Sequence, residues 1–138
     1  MLLDLSNPKD VHVDERLRKE PIIWLSTVRA DGRPHLVPVW FFWDGETITI
    51  FSQPGNQKMH NLQRNVNVAL ALDDTNVGED VVIIEGKAEL PGKFTQTMNN
   101  PAYLEKYGAL MQSDPEALAA SFSEVIRVTP TKCIRWSE

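Results

Sequence analysis

Between residues 22 and 90 apolar and polar positions alternate in short runs, with the period of two that marks half-buried strands. The runs predict strands at 22–29, 34–43, 47–52, 66–72 and 81–90, rich in β-branched and aromatic residues. Ala30-Asp31-Gly32-Arg33 turns the first into the second. Asp44-Gly45 joins the next two as a tight hairpin, since Gly accepts the positive φ such a turn requires. Short helices are predicted at 14–19, stopped by Pro21, and from 57 to about 64. Pro91-Gly92 breaks the strand pattern. Helical spacing follows at 93–98, 102–111 and 115–120, with Pro101 and Asp114-Pro115 as start signals. Residues 122–129 return to strand, and 131–136 form a further one after Pro130.

Six or seven strands, short turns and a helical insertion describe a mostly β protein, a closed antiparallel barrel. Parallel βαβ units would need strands alternating with long helices, and these are missing. With no repeat and no low-complexity linker, residues 1–138 read as a single domain.

The strand at 34–43 ends in an aromatic run, Trp40-Phe41-Phe42-Trp43. Alternation puts Val37, Val39 and Phe41 on one face and Trp40 on the other. One aromatic pair therefore faces away from the barrel core. Such a pair would be a dimer contact or a ligand platform, and either reading implies a partner.

Composition narrows the class. The 42% hydrophobic and 24% charged content suits a globular protein rather than a disordered one. A net charge of −5 argues against nucleic acid as a general partner. No apolar run approaches the ~20 residues that cross a bilayer, and Met1-Leu2-Leu3-Asp4-Leu5 is no secretory signal. The single cysteine, Cys133, excludes an intrachain disulfide and a clustered cysteine metal site. A cytoplasmic location is the expectation.

Chemistry concentrates where the strand 47–52 ends. Gln53-Pro54-Gly55-Asn56 leads into Gln57-Lys58-Met59-His60, placing Lys58 in the first turn of a helix. Free N–H groups at a helix start and an ammonium together suit a phosphate, with a flat apolar body along the hairpin. The plainer alternative is a solvated surface lysine. His35 and His60 have no metal-ligand spacing, and no catalytic triad can be assembled. The acidic stretch 73–80 misses the Ca²⁺-loop pattern and reads as a solvated loop. No metal ligand set and no catalytic residue is identified.

Taken in order, Leu25-Ser26-Thr27-Val28, Asp31-Gly32-Arg33-Pro34-His35, Val37-Pro38-Val39-Trp40 and Lys58-Met59-His60-Asn61-Leu62 resemble the pyridoxamine 5′-phosphate oxidase-like flavoproteins. Phe122 to Pro130 is similar to their closing strand. The likeness spans roughly residues 20–136. It implies a split antiparallel β-barrel of the FMN-binding type, a homodimer with the site at its interface, and a small-molecule substrate. Carried over, it implies that Pro38, Val39 and Trp40 lie against the ring system and offer backbone groups to its polar edge. Ser52 and Gln53 would approach the ribityl and phosphate end, and Gln57 and Lys58 would hold the phosphate.

The chain ends at Glu138, without the arginine-rich C-terminal extension of the vitamin B6 oxidases, so the resemblance concerns fold and cofactor. FMN ends at its phosphate and is the leading expectation. A deazaflavin, coenzyme F-420, is the alternative, with Arg29, Arg33 and Arg64 as candidates for its anionic tail. A non-catalytic flavin or haem binder is a further alternative, for which His12, His35 or His60 would supply an axial ligand. His35, just before the ring-binding strand, could also approach the ring or substrate.

Overall fold

The computed structural model describes residues 2–74, 76–93, 101–111 and 115–137, and places seven strands in one antiparallel sheet. In chain order they are β1 (Ile23–Val28), β2 (Pro34–Val39), β3 (Phe42–Trp43), β4 (Ile48–Ser52), β5 (Asn67–Leu72), β6 (Asp80–Lys93) and β7 (Glu124–Ser137). The helices are α1 (Pro8–Lys19), α2 (Gln57–Leu62), α3 (Pro101–Tyr107), followed by a 3-10 turn at Gly108–Leu110, and α4 (Pro115–Ser121).

The sheet order is β2-β1-β5-β6-β7-β4-β3, so β2 and β3 are its two edges. Yet only Trp40 and Phe41 separate them in sequence. Two linking residues can span only about 10 Å. The sheet must therefore curl until its edges meet, which makes a barrel split between β2 and β3. Antiparallel pairing throughout and the hairpin at Asp44-Gly45 agree with the sequence pattern. In that hairpin Gly45 sits at φ 101°, and the Asp44 carboxylate accepts from the N–H groups of Glu46 and Thr47 at 2.8 and 2.7 Å.

The barrel interior is filled by Leu25, Phe41, Trp43, Ile48, Ile50, Leu70, Ile84 and Ile126, all buried. α1 covers it with Val13 and Leu17, and Trp43 Nε1 donates to the Asp14 carboxylate at 2.9 Å. A second cluster lies outside the barrel: Phe51, Tyr103, Tyr107 and Val125, with Trp40, Phe42, Met111, Leu118 and Phe122 against it. Strand β4 has its interior on one face and this cluster on the other, so all its residues are buried.

Several expected boundaries are corrected. The first helix begins at Pro8, not 14, because Asn7 caps it by accepting from the Lys9 N–H at 2.9 Å. The strand expected over 34–43 breaks at Trp40-Phe41, since the barrel splits there. Pro91-Gly92 does not end its strand: β6 runs on to Lys93, absorbing the proline in an irregularity between Glu89 and Gly92. The helix expected at 93–98 loses Lys93 to β6, and its remainder lies outside the described residues. Strands expected at 122–129 and 131–136 are one strand, β7, because Pro130 stands at a second register shift, opposite Gly86. The outward aromatic pair, Trp40 and Phe42, is partly covered by the chain's own helices, packing against Tyr103 and Tyr107 of α3.

Gly86 is required by that second shift. A Cβ there would lie 2.6 Å from the Thr129 carbonyl oxygen and 3.0–3.1 Å from Val128 and Pro130 atoms. Gly86→Ala is therefore expected to destabilise the fold by about 1–3 kcal/mol, as overpacking does in rigid surroundings. Chemical denaturation measures it, and an unchanged midpoint would show that β6 and β7 can separate freely there.

Candidate functional site

The split determines where a ligand can enter. Beside it a cavity of about 490 Å³ is lined by Ile22, Pro38, Val39, Trp40, Phe51 and Lys58, and by Tyr103, Leu110, Met111, Leu118 and Phe122 from the α3–α4 region. Its size falls within the roughly 300–1,000 Å³ of small-molecule sites. Among the described residues the walls are apolar or aromatic except for one cation, Lys58.

Of the residues expected to hold a ligand, the cavity brings together Pro38, Val39, Trp40 and Lys58. Pro38 and Val39 end β2, an edge strand that pairs with β1 on one side only. Backbone groups on the other side of such an edge are left to find another partner. Ser52, Gln53 and Gln57 do not line the cavity. Ser52 is fully buried and its hydroxyl donates to the Gln53 carbonyl at 2.9 Å. The Gln57 side-chain amide donates to the Asn61 side chain at 2.7 Å.

That contact belongs to a chain that fixes α2 on the sheet. Asn61, buried, donates in turn to the Thr27 hydroxyl at 2.9 Å, and Met59 and Leu62 enter the core. Lys58 is thereby held half-buried, and burial lowers its pKa. A six-residue helix carries only a small dipole, so the side-chain cation matters more than the helix terminus.

His35 lies directly opposite Thr27 across the β1–β2 pair. Its Nδ1 is buried without a hydrogen-bond partner, a condition that costs about 1–3 kcal/mol. Burial, then Arg29, then Lys58 hold its pKa below the ordinary value. An orphaned nitrogen beside two cations fits an anionic group such as a phosphate. The sequence pointed to His35 only weakly, because register and burial are invisible there.

The far wall was not foreseen. The Tyr107 ring stacks on Trp40 with centroids 4.4 Å apart and planes 8° from parallel. Its hydroxyl accepts from the Phe41 N–H at 2.9 Å and donates to the Pro21 carbonyl at 2.8 Å. Lys106 donates to the Phe41 carbonyl at 2.9 Å and lies 3.7 Å from the Phe41 ring centroid. Burial pushes its pKa down to about 8, against an opposing pull from Glu20.

Among the described residues no group of His, Cys, Asp or Glu could hold a metal, and no helix is long and apolar enough to cross a membrane. The acidic stretch is tied down instead: Arg16 donates to the carbonyls of Asp73 and Asp74 at 3.0 and 2.8 Å.

A family model described as pyridoxamine 5′-phosphate oxidase matches residues 10–137. Among solved structures, an F420 reductase is similar at 27% identity, with a TM-score of 0.72 over 88% of this chain and 94% of that one. A conserved hypothetical protein from Mycobacterium tuberculosis is 21% identical, with a TM-score of 0.74 over 92% of this chain and 83% of that one. HutZ, a haem storage protein from Vibrio cholerae, shares the fold at 15% identity and a TM-score of 0.64, covering 91% and 92%. None of the curated protein sequences matches this one.

Tyr107→Phe keeps the ring stack but leaves the buried Phe41 N–H without its acceptor. It is expected to destabilise the protein by about 1–3 kcal/mol. Denaturant unfolding followed by tryptophan fluorescence measures this, and an unaltered midpoint would show that water replaces the hydroxyl at no cost.

Proposed function

This chain belongs to the pyridoxamine 5′-phosphate oxidase family, and from that premise we propose that it is a flavin-type oxidoreductase binding FMN in the cavity beside the split. The single observation that carries the reading is the cavity's lining: apolar and aromatic walls with one half-buried cation at Lys58. A flat ring with a phosphate on a polar stem matches that distribution. When bound, such a cofactor supplies hydride transfer to or from a small substrate.

The protein's own residues do the rest. Lys58 forms a charge-assisted contact to the phosphate, and the Asn61–Thr27 hydrogen bond holds α2, and with it Lys58, in place. Pro38 and Val39 present the outer side of an edge strand to the ring's polar rim. Phe51, Tyr103, Leu118 and Phe122 keep water out of the ring's surroundings. Ser52, Gln53 and Gln57 do not line the cavity, and any part they take in holding the phosphate would come from the loop where β4 ends and α2 begins.

A second reading, a deazaflavin-dependent reductase using coenzyme F-420, is favoured by the 27% identity to the F420 reductase over most of both chains. The haem reading has little support in the geometry. No histidine lines the cavity, and His12 is paired with Asp80 at 2.8 Å.

The proposal includes a homodimer. Trp40 and Phe42 are partly covered by α3, and Leu36 adds support, standing 59% exposed on the edge strand β2 near the cavity. Sedimentation at micromolar concentration should give twice 15.6 kDa, through an interface burying more than about 1,000 Å². A stable monomer would remove the dimer.

Lys58→Ala tests the phosphate contact. FMN affinity should fall by about 1.5–3 kcal/mol, or roughly ten- to a hundredfold. Riboflavin, which lacks the phosphate, should bind nearly as before. Fluorescence titration of FMN, riboflavin and coenzyme F-420 on both proteins reads the site and ranks the cofactors. Equal FMN affinity would make Lys58 a surface lysine, and failure of every flavin to bind would end the oxidoreductase reading.

A further inference from the structure

We propose that His35 is a proton-linked anion ligand, forming with Arg29 and Lys58 a corner that takes up a proton as it binds the phosphate end of the cofactor. The inference rests on the proposed placement of that phosphate near Lys58; His35 and Arg29 do not line the cavity itself, so the phosphate would reach them past Lys58. It adds a residue, and a pH dependence, that the placement does not contain.

The register carries the argument. Beyond β1 the ladder continues, with the Arg29 N–H donating to the Arg33 carbonyl at 2.8 Å, so alternation places Arg29 on the face of Thr27, two positions earlier. His35 lies opposite Thr27 and so shares that face, and α2 packs on it through the Asn61–Thr27 hydrogen bond. Lys58, three residues before Asn61, is the α2 side chain that reaches the imidazole electrostatically. The charged groups acting on His35 are thus Arg29, just beyond β1, and Lys58 of α2. Arg33, on the turn into β2, is tied to Asp31 at 2.8 Å.

Both groups are cations, which would be a poor way to surround a histidine with only a structural role. The buried Nδ1 meets no acceptor and no donor. Burial, then Arg29, then Lys58 lower the imidazole's pKa and so favour its neutral form in the free protein. A dianion placed among them cancels the two positive charges and offers acceptor oxygens. The imidazole then gains a proton from solvent, and both its nitrogens become donors. The sign follows: the histidine's pKa is depressed when free and raised when bound. Anion affinity therefore strengthens as pH falls between those two midpoints and weakens as pH rises.

NMR titration of the imidazoles in the full-length protein, with sulfate as probe, tests this. Sulfate stays a dianion across the range, so the titrations observed belong to the protein. There are three histidines, and His35→Gln assigns the signal. The His35 midpoint should lie below its ordinary value and rise by about one unit with sulfate. Arg29→Gln should raise the midpoint in the free protein and shrink the response to sulfate. FMN affinity in the wild type should gain about two- to fourfold, relative to His35→Gln, on going from about pH 8 to about pH 6.5. Riboflavin should show no such difference.

A His35 midpoint indifferent to sulfate, or identical FMN pH profiles in wild type and His35→Gln, would overturn the inference. The two proposals fail separately. Sulfate that shifts His35 in a protein binding no flavin would support the anion corner and overturn the oxidoreductase reading. FMN bound through Lys58 with His35 unmoved would do the reverse.

Discussion

The peptide groups of Phe41 are the constraint around which this chain is arranged. Splitting the barrel between β2 and β3 removes the strand neighbour that would have bonded them, yet Phe41 is fully buried. Buried backbone groups need partners, and water is excluded here. The chain supplies both from consecutive residues at the end of α3: the Tyr107 hydroxyl takes the N–H and the Lys106 ammonium takes the C=O. Because the Tyr107 hydroxyl also bonds Pro21, the same contacts tie α3 to the segment entering β1.

The cavity follows from that attachment. With α3 pinned at the split, Tyr103, one turn earlier, meets Phe51 edge-on at 5.0 Å and Phe42 at 6.4 Å. The aromatic residues that close the site are thus held by the interactions that repair the sheet. The opposite wall has a different origin, in α2 and its buried Asn61. The apolar end and the cationic end of the cavity are therefore built independently, and a substitution in one should leave the other standing.

Much of the barrel was legible in the sequence. Period-two alternation located β1, β4, β5 and most of β6, ran β2 and β3 together and divided β7 in two, while Asp44-Gly45 and Asp31-Gly32 located two turns, because those signals are local. What escaped was non-local. Pro91 and Pro130 look like terminators until a partner strand shows that each stands at a register shift. Trp40 and Phe42 look like an exposed pair until α3 covers them, and nothing near residue 40 announces Tyr107. Within the site, Pro38, Val39, Trp40 and Lys58 were legible by resemblance and converge on one cavity. His35 was not, since its interest lies in an unpartnered nitrogen that depends on packing.

The distribution of arginines bears on which anion the site could accommodate. Arg16 is engaged by Glu20 and Asp80, Arg18 by Asp14, Arg33 by Asp31, Arg127 by Glu89 and Arg135 by Asp10. Of the three arginines considered for a polyanionic tail, Arg33 is thus already paired, which leaves Arg29 and Arg64. Arg29, like Lys58, acts electrostatically on His35, where the proposed phosphate would use it. A long anionic tail would then find one further candidate cation, Arg64, on a chain with a net charge of −5. Repulsion at that distance is screened within about 10 Å at ordinary salt, so the tail would gain little and lose little. On the proposed reading, discrimination between FMN and a deazaflavin would then arise at the ring, from the edge of β2 and the aromatic wall that α3 holds in place.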